Sequence, residues 1–131
     1  MSDMEPNRPE VLAEVTAVFA RYEAALVSND VAVLDELFLE STETIRYGIA
    51  ENLYGIAAIR AFRTARPAQG LERTLEETVI TSYGNDMAIA ATLFRRDGAP
   101  GRIGRQMQTW IRTAAGWKVA AAHVSIIDAP A

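Results

Sequence analysis

Two hydrophobic periodicities divide this chain, and their order is what most constrains its fold. Over residues 9–28 the apolar positions Val11, Leu12, Val15, Val18, Phe19, Tyr22, Ala25 and Leu26 recur in steps of three and four, the signature of an amphipathic helix, with Pro9 suited to its first turn. Tyr22 falls inside that stripe and is expected to point inward. Asn29 and Asp30 interrupt the pattern, and residues 31–38 read as a short second helix capped by Asp30. Residues 42–49 have strand composition; Glu51-Asn52-Leu53-Tyr54 follows, and Gly55 opens a third helix running to Arg66, where Pro67 ends it. On that helix Ile56, Ile59 and Phe62 mark the buried face, Arg63 and Arg66 flank it, and Arg60 points away.

Beyond Gly70 the period changes to that of strands. Residues 75–83, 87–96, 102–112 and 117–127 each alternate or favour strand residues, and Asn85-Asp86, Gly98 to Gly101 and Ala114 to Gly116 supply the turns between them. Neighbouring strands joined by such short turns pair antiparallel. Helices first and strands afterwards predict an α+β fold, with helices on one face of an antiparallel sheet. At 131 residues, half of them apolar, one domain is expected, with residues 1–8 as a loose leading segment.

Composition removes several kinds of chemistry. The chain has no cysteine, hence no disulfide, thiolate nucleophile or zinc-thiolate site, and its one histidine, His123, has no acidic pair at ligand spacing, so neither a metal nor another cofactor is expected. A net charge of -4 argues against a nucleic-acid partner. Residues 1–9 lack a basic region followed by an apolar run, and no segment is long enough to span a bilayer, so a cytoplasmic protein without a membrane partner is expected. One skew stands out: 12 of the 13 basic residues are arginine. Base composition of the genome accounts for such a skew overall, but guanidinium also pairs with planar carboxylates in a two-pronged geometry that ammonium cannot match.

Alternation separates two faces on each late strand. Gln106, Gln108 and Trp110 form one set, and Trp117, Val119, Ala121, His123 and Ser125 another; both mix apolar and polar groups, as the lining of a pocket between sheet and helices would. The opposite sets, with Met107, Thr109, Ile111, Ala120, Ala122 and Val124, suit an outer face that packs against a second copy of the chain or another protein. The plainer reading of the polar groups is mutual satisfaction within a core.

The residues that decide between these readings are local motifs. Arg46-Tyr47-Gly48, Glu51-Asn52-Leu53-Tyr54-Gly55, Ile59-Arg60-Ala61-Phe62-Arg63 with Arg66-Pro67, and Gly104-Arg105-Gln106 running into Gln108-Thr109-Trp110 together resemble the AtzH/HpxZ-like family, from about Pro9 to Ile127. The ending Gly116-Trp117-Lys118-Val119 and His123-Val124-Ser125 resembles more broadly the nuclear transport factor 2-like (NTF2-like) superfamily. That resemblance implies a curved sheet shaped as a cone and closed by three helices. The resemblance to the AtzH/HpxZ-like family implies in addition a cofactor-independent decarboxylating amidohydrolase that converts 1,3-dicarboxyurea to allophanate and carbon dioxide in cyanuric acid catabolism. The alternative is a non-catalytic partner or ureide-binding protein that accompanies an amidase, as in oxalurate use.

Under the enzyme reading, Arg46 shares its strand face with Thr44 and Gly48 and would hold one carboxylate through a two-pronged bond. Tyr22 would donate a proton to the nitrogen that loses carbon dioxide, or a hydrogen bond to the adjoining carbonyl; a core tyrosine with a satisfied hydroxyl is the plainer alternative. Arg66 would meet a second carboxylate, with a surface salt bridge as its alternative. Gln106, Gln108 and His123 are candidate orienting groups, His123 being equally readable as a neutral core imidazole. Met107 stands where the family often has a smaller residue, a departure expected to affect packing on the outer face.

Overall fold

The computed structural model describes residues 3–130. Its first helix, α1 (Pro9–Val27), carries Pro at its start and buries Val11, Val15, Phe19, Tyr22, Ala25 and Leu26 along one stripe. The second, α2 (Val31–Leu37), begins where Val33 N donates to Asp30 Oδ1 at 3.2 Å, so the expected cap forms. After β1 (Ile45–Tyr47) and β2 (Asn52–Tyr54), the third helix α3 (Ile56–Ala65) buries Ile56, Ile59 and Arg63. Four long strands follow: β3 (Thr74–Tyr83), β4 (Met87–Arg95), β5 (Arg102–Thr113) and β6 (Gly116–Asp128).

The strands form one sheet in the order β2-β1-β6-β5-β4-β3. All neighbours are antiparallel except β1 and β6, which run parallel, with Arg46 opposite Ala122 and Tyr47 opposite His123. The architecture is α+β as expected, but the sheet is mixed: the chain leaves β2 through α3 and adds β3, β4 and β5 before β6 pairs with β1. The hairpin partner β2 has no separate place in the sequence pattern, because a three-residue strand is too short to show a period.

Irregularities in pairing set which side chains face the helices. Glu77 has a positive φ of 49° where the β3–β4 register shifts. A second shift is the consequential one: Thr109 pairs with Ala121 and Trp110 with Val119, so Ala120 is an extra residue in β6. A bulge of this kind reverses the alternation beyond it. Trp117 and Val119 face the core as expected, but past the bulge it is Ala122 and Val124 that turn inward, while Ala121, His123 and Ser125 turn outward.

The core forms where α1 and α2 lie on the inner sheet face, with Trp110 wholly buried at its centre. Part of the leading segment expected to be loose is tied down: Asn7 N donates to Ser82 O, Ser82 N to Asn7 Oδ1, and Gly84 N to Glu5 O, so residues 5–7 run along the β3–β4 turn. Of the segment expected to be loose, residues 1 and 2 lie outside the described residues. Among the described residues no helix is long and apolar enough to cross a membrane.

Candidate functional site

One cavity of about 250 Å³ lies between the helices and the inner sheet face, and its polar lining comes from Tyr22, Arg46, Glu51, Arg66, Arg73, Arg96 and Gln106. Tyr22 reaches it from α1. Its ring is held edge-on by Trp110 and tilted against Phe38, both at 6.3 Å between centroids. Its hydroxyl makes no hydrogen bond among the described residues, so a phenol fixed in position presents a free O–H to the cavity.

Arg46 enters from β1 and packs over the Phe62 ring at 5.4 Å. Its Nη1 donates to Glu51 Oε1 at 2.9 Å, while its Nε and Nη2 make no hydrogen bond among the described residues. Gly48 lets this pair form, because a Cβ at that position would coincide with the Glu51 carboxylate and stand 2.9 Å from Arg46 Nη1. The Arg-Tyr-Gly motif and Glu51 are therefore one structural unit.

Arg66 caps the end of α3 and lines the same cavity. Its Nε and Nη2 are buried and unbonded, and burial together with the nearby Arg46 pushes its pKa below the usual guanidinium value. Arg96, just past β4, repeats the pattern: Nε is buried without a partner, and burial with repulsion from Arg73 lowers its pKa. Neither has an ion pair among the described residues. The surface salt bridge that was the alternative for Arg66 is absent among the described residues.

Arg73 holds the opposite pattern. Its side chain, 1% exposed, pairs with Glu23 through Nε at 2.9 Å and Nη2 at 2.6 Å, and Nη2 also donates to Gln106 Oε1 at 3.0 Å. Gln106 thus has its oxygen satisfied and its buried Nε2 free. Gln108 is oriented likewise by Trp110 Nε1, which donates to its Oε1 at 3.0 Å; it sits beside the cavity and not in its lining.

Of the sequence candidates, Tyr22, Arg46, Arg66 and Gln106 therefore converge on one cavity. His123 does not. Because of the bulge at Ala120 it lies exposed on the outer face, edge-on to Tyr47 at 6.0 Å, in a shallow depression with Ile45, Met107 and Ala121. Ala122 and Val124, expected outside, face inward for the same reason. Glu23, Arg73 and Arg96 are site residues that the sequence analysis does not name as candidates, and Glu51 enters there only as part of the Glu51-Asn52-Leu53-Tyr54-Gly55 motif. The adjacent pair Arg95-Arg96 at a strand end does carry a signal, since neighbouring residues there face opposite sides: Arg95 is exposed with Glu76, and Arg96 turns to the cavity.

The AtzH-like family profile matches residues 4–130. The chain belongs to the AtzH-like family. Two solved structures resemble this AtzH-like chain along nearly its whole length. A DUF3225-family protein of unknown function from Pectobacterium atrosepticum SCRI1043 is 58% identical, with a TM-score of 0.93, covering 95% of this chain and 99% of that one. A cystatin-like fold protein from Burkholderia xenovorans LB400 is 48% identical, with a TM-score of 0.93, covering 97% and 99%. An NTF2-like protein with a cystatin-like fold from Novosphingobium aromaticivorans, at 24% identity, TM-score 0.70 and coverage of 93% and 85%, shares the fold. No curated protein matches the sequence. The α+β architecture of this AtzH-like chain is thus the NTF2-like, cystatin-like one, with a curved sheet that does not close.

What the AtzH-like cavity can do follows from its charges. Arg46 and Arg73 have carboxylate partners; Arg66 and Arg96 have none among the described residues. Two guanidinium groups without an ion pair among the described residues, a free amide N–H₂ and a free phenol have the chemistry to hold a small polar anion. Among the described residues no three His, Asp or Glu side chains converge as metal ligands.

Proposed function

We propose that this protein is a decarboxylating amidohydrolase that converts 1,3-dicarboxyurea to allophanate and carbon dioxide, as the AtzH-like resemblance implies. The observation that carries the reading is the convergence of unpaired cationic donors on one small cavity beside the free Tyr22 hydroxyl. Such buried, unbonded donors are costly unless a ligand satisfies them. A planar urea bearing two carboxylates supplies the charge and the acceptors they lack.

Arg66 takes one carboxylate. Arg46, its charge already balanced by Glu51, turns its free Nε and Nη2 to the urea oxygen and not to a carboxylate. When the C–N bond to the departing carboxylate breaks, its electron pair stays on nitrogen and spreads to that oxygen, where Arg46 stabilises it. Tyr22 delivers its proton to the nitrogen and regains one from solvent. The balance is dicarboxyurea plus one proton giving allophanate plus carbon dioxide, with no covalent intermediate. Fixed donors supply most of the rate.

The outer face supports a second proposal, a homodimer. Met107 is 55% exposed there, within an apolar depression lined by Ile45, Ile89 and Thr109. Light scattering of a dimer supports it and a monomer overturns it; co-elution with a pathway amidase, with no carbon dioxide released by the isolated chain, would favour the non-catalytic alternative. The test of the enzyme reading is product analysis on freshly prepared carboxylated ureas. Allophanate and carbon dioxide appear in equal amounts from dicarboxyurea. Release of neither, with oxalurate bound or turned over instead, would overturn it.

A further inference from the structure

The Arg96 side of the cavity is built as carefully as the Tyr22 side. Arg96 lies over the Phe94 ring at 4.9 Å, and Arg73 over the same ring at 4.6 Å. The buried Phe94 ring in turn lies across Gly104, where any Cβ would overlap its ring atoms. Glycine at the start of Gly104-Arg105-Gln106 thus lets one aromatic ring seat two arginines. Glu23 pairs with Arg73, and Arg96 is the member without an ion pair among the described residues.

Gln106 completes this side. Arg73 occupies its Oε1 and so turns Nε2, buried and unbonded, into a fixed donor in the same cavity as Arg96. Arg96 also lines an adjoining cleft of about 530 Å³ with Glu72, Arg95 and Asp97, and stands where the two spaces meet.

We propose that Arg96 and Gln106 Nε2 form a second carboxylate subsite, which makes the cavity selective for dianions over monoanions of the same shape. The inference rests on the reading of the cavity as a receptor for a dicarboxylated urea and names the residues that recognise the second charge. Its consequence concerns turnover. Loss of carbon dioxide removes one carboxylate, so the product leaves one buried guanidinium unsatisfied and is held less tightly than the substrate. Discharge of product follows from the same charges that capture substrate.

Glutarate and its monoamide, glutaramate, test this without any reaction. Glutarate has the five-atom backbone of dicarboxyurea, and glutaramate differs from it by a single charge. By calorimetry, the wild-type chain is expected to bind glutarate about tenfold or more tighter than glutaramate, the effect of one charged hydrogen-bonded group. Arg96→Gln should bring the two affinities within about threefold by weakening glutarate alone, whereas Arg96→Lys should keep a preference for the dianion. An unchanged preference in Arg96→Gln, or none in the wild type, overturns the subsite; should Arg96→Gln fail to fold, the wild-type ratio and the Arg96→Lys variant decide. Dianion selectivity without carbon dioxide release would retain this inference and reject the proposed reaction, and turnover with unaltered selectivity in Arg96→Gln would do the reverse.

Discussion

Arg73 Nη2 donates a 3.0 Å hydrogen bond to Gln106 Oε1, and this one bond decides which end of the buried amide is left without a partner. Gln106→Glu should therefore separate structure from function. The new carboxylate would sit against Arg73 and retain the fold, but it removes the Nε2 donor and places negative charge where an anion binds. Turnover should fall about a hundredfold, the usual effect of losing one fixed donor, with an undiminished melting temperature. Calorimetry beside the activity assay checks both halves.

Glu23 neutralises a guanidinium whose side chain is 1% exposed, and removing that charge leaves Arg73 buried and uncompensated. Glu23→Gln should cost about 3 kcal/mol of stability. Urea denaturation measures it, and a loss below about 0.5 kcal/mol, the scale of an exposed pair, would show that the pair is not buried in solution.

Arg66 presents the reverse case. Its unbonded Nε and Nη2 are a standing cost of the empty cavity. Arg66→Met should raise the stability of the ligand-free protein by about 1 kcal/mol while abolishing the rise in melting temperature that dicarboxylates give the wild type. Thermal melts with and without glutarate read out both effects.

His123 lies on the outer face, behind the sheet from the cavity. His123→Ala should leave the rate of carbon dioxide release per chain within about twofold of wild type, in line with substitutions away from a site. A loss like that of Gln106→Glu would mean that the bulge at Ala120 does not set the inner face in solution.

The contrast between Gln106 and His123 shows how far the sequence reaches. The same alternation places both inward, and Gln106 is inward because β5 keeps strict period two from Gly104 to Trp110. His123 is outward because a single unpaired alanine reverses the phase, and nothing about Ala120 among its alanine neighbours marks it as the extra residue. Tyr22 is legible from the helical stripe that fixes its direction. Arg46 and Arg66 are legible from local motifs, but Arg46's partner Glu51 is not, since that pair depends on the space left by Gly48. Arg73 is hidden for a related reason, and Arg96 shows only as one of an adjacent arginine pair at a strand end. Their placement depends on a shared ring, Phe94, across two strands, and long-range packing of that kind leaves no periodicity in either segment.

In the proposed reaction a phenol and a guanidinium, without thiol or covalent intermediate, cleave a carboxylated urea. Carbon dioxide release from freshly prepared 1,3-dicarboxyurea by purified wild-type, Tyr22→Phe and Arg46→Ala proteins tests it most directly. Release by the wild type is expected, with a loss of about a hundredfold or more in each variant. Both variants should remain folded, which melting curves check, because Tyr22→Phe retains the aromatic ring and its contacts to Phe38 and Trp110, and Arg46→Ala removes one ion pair, with Glu51, and one ring contact, with Phe62. Wild-type rates in both variants would contradict the mechanism.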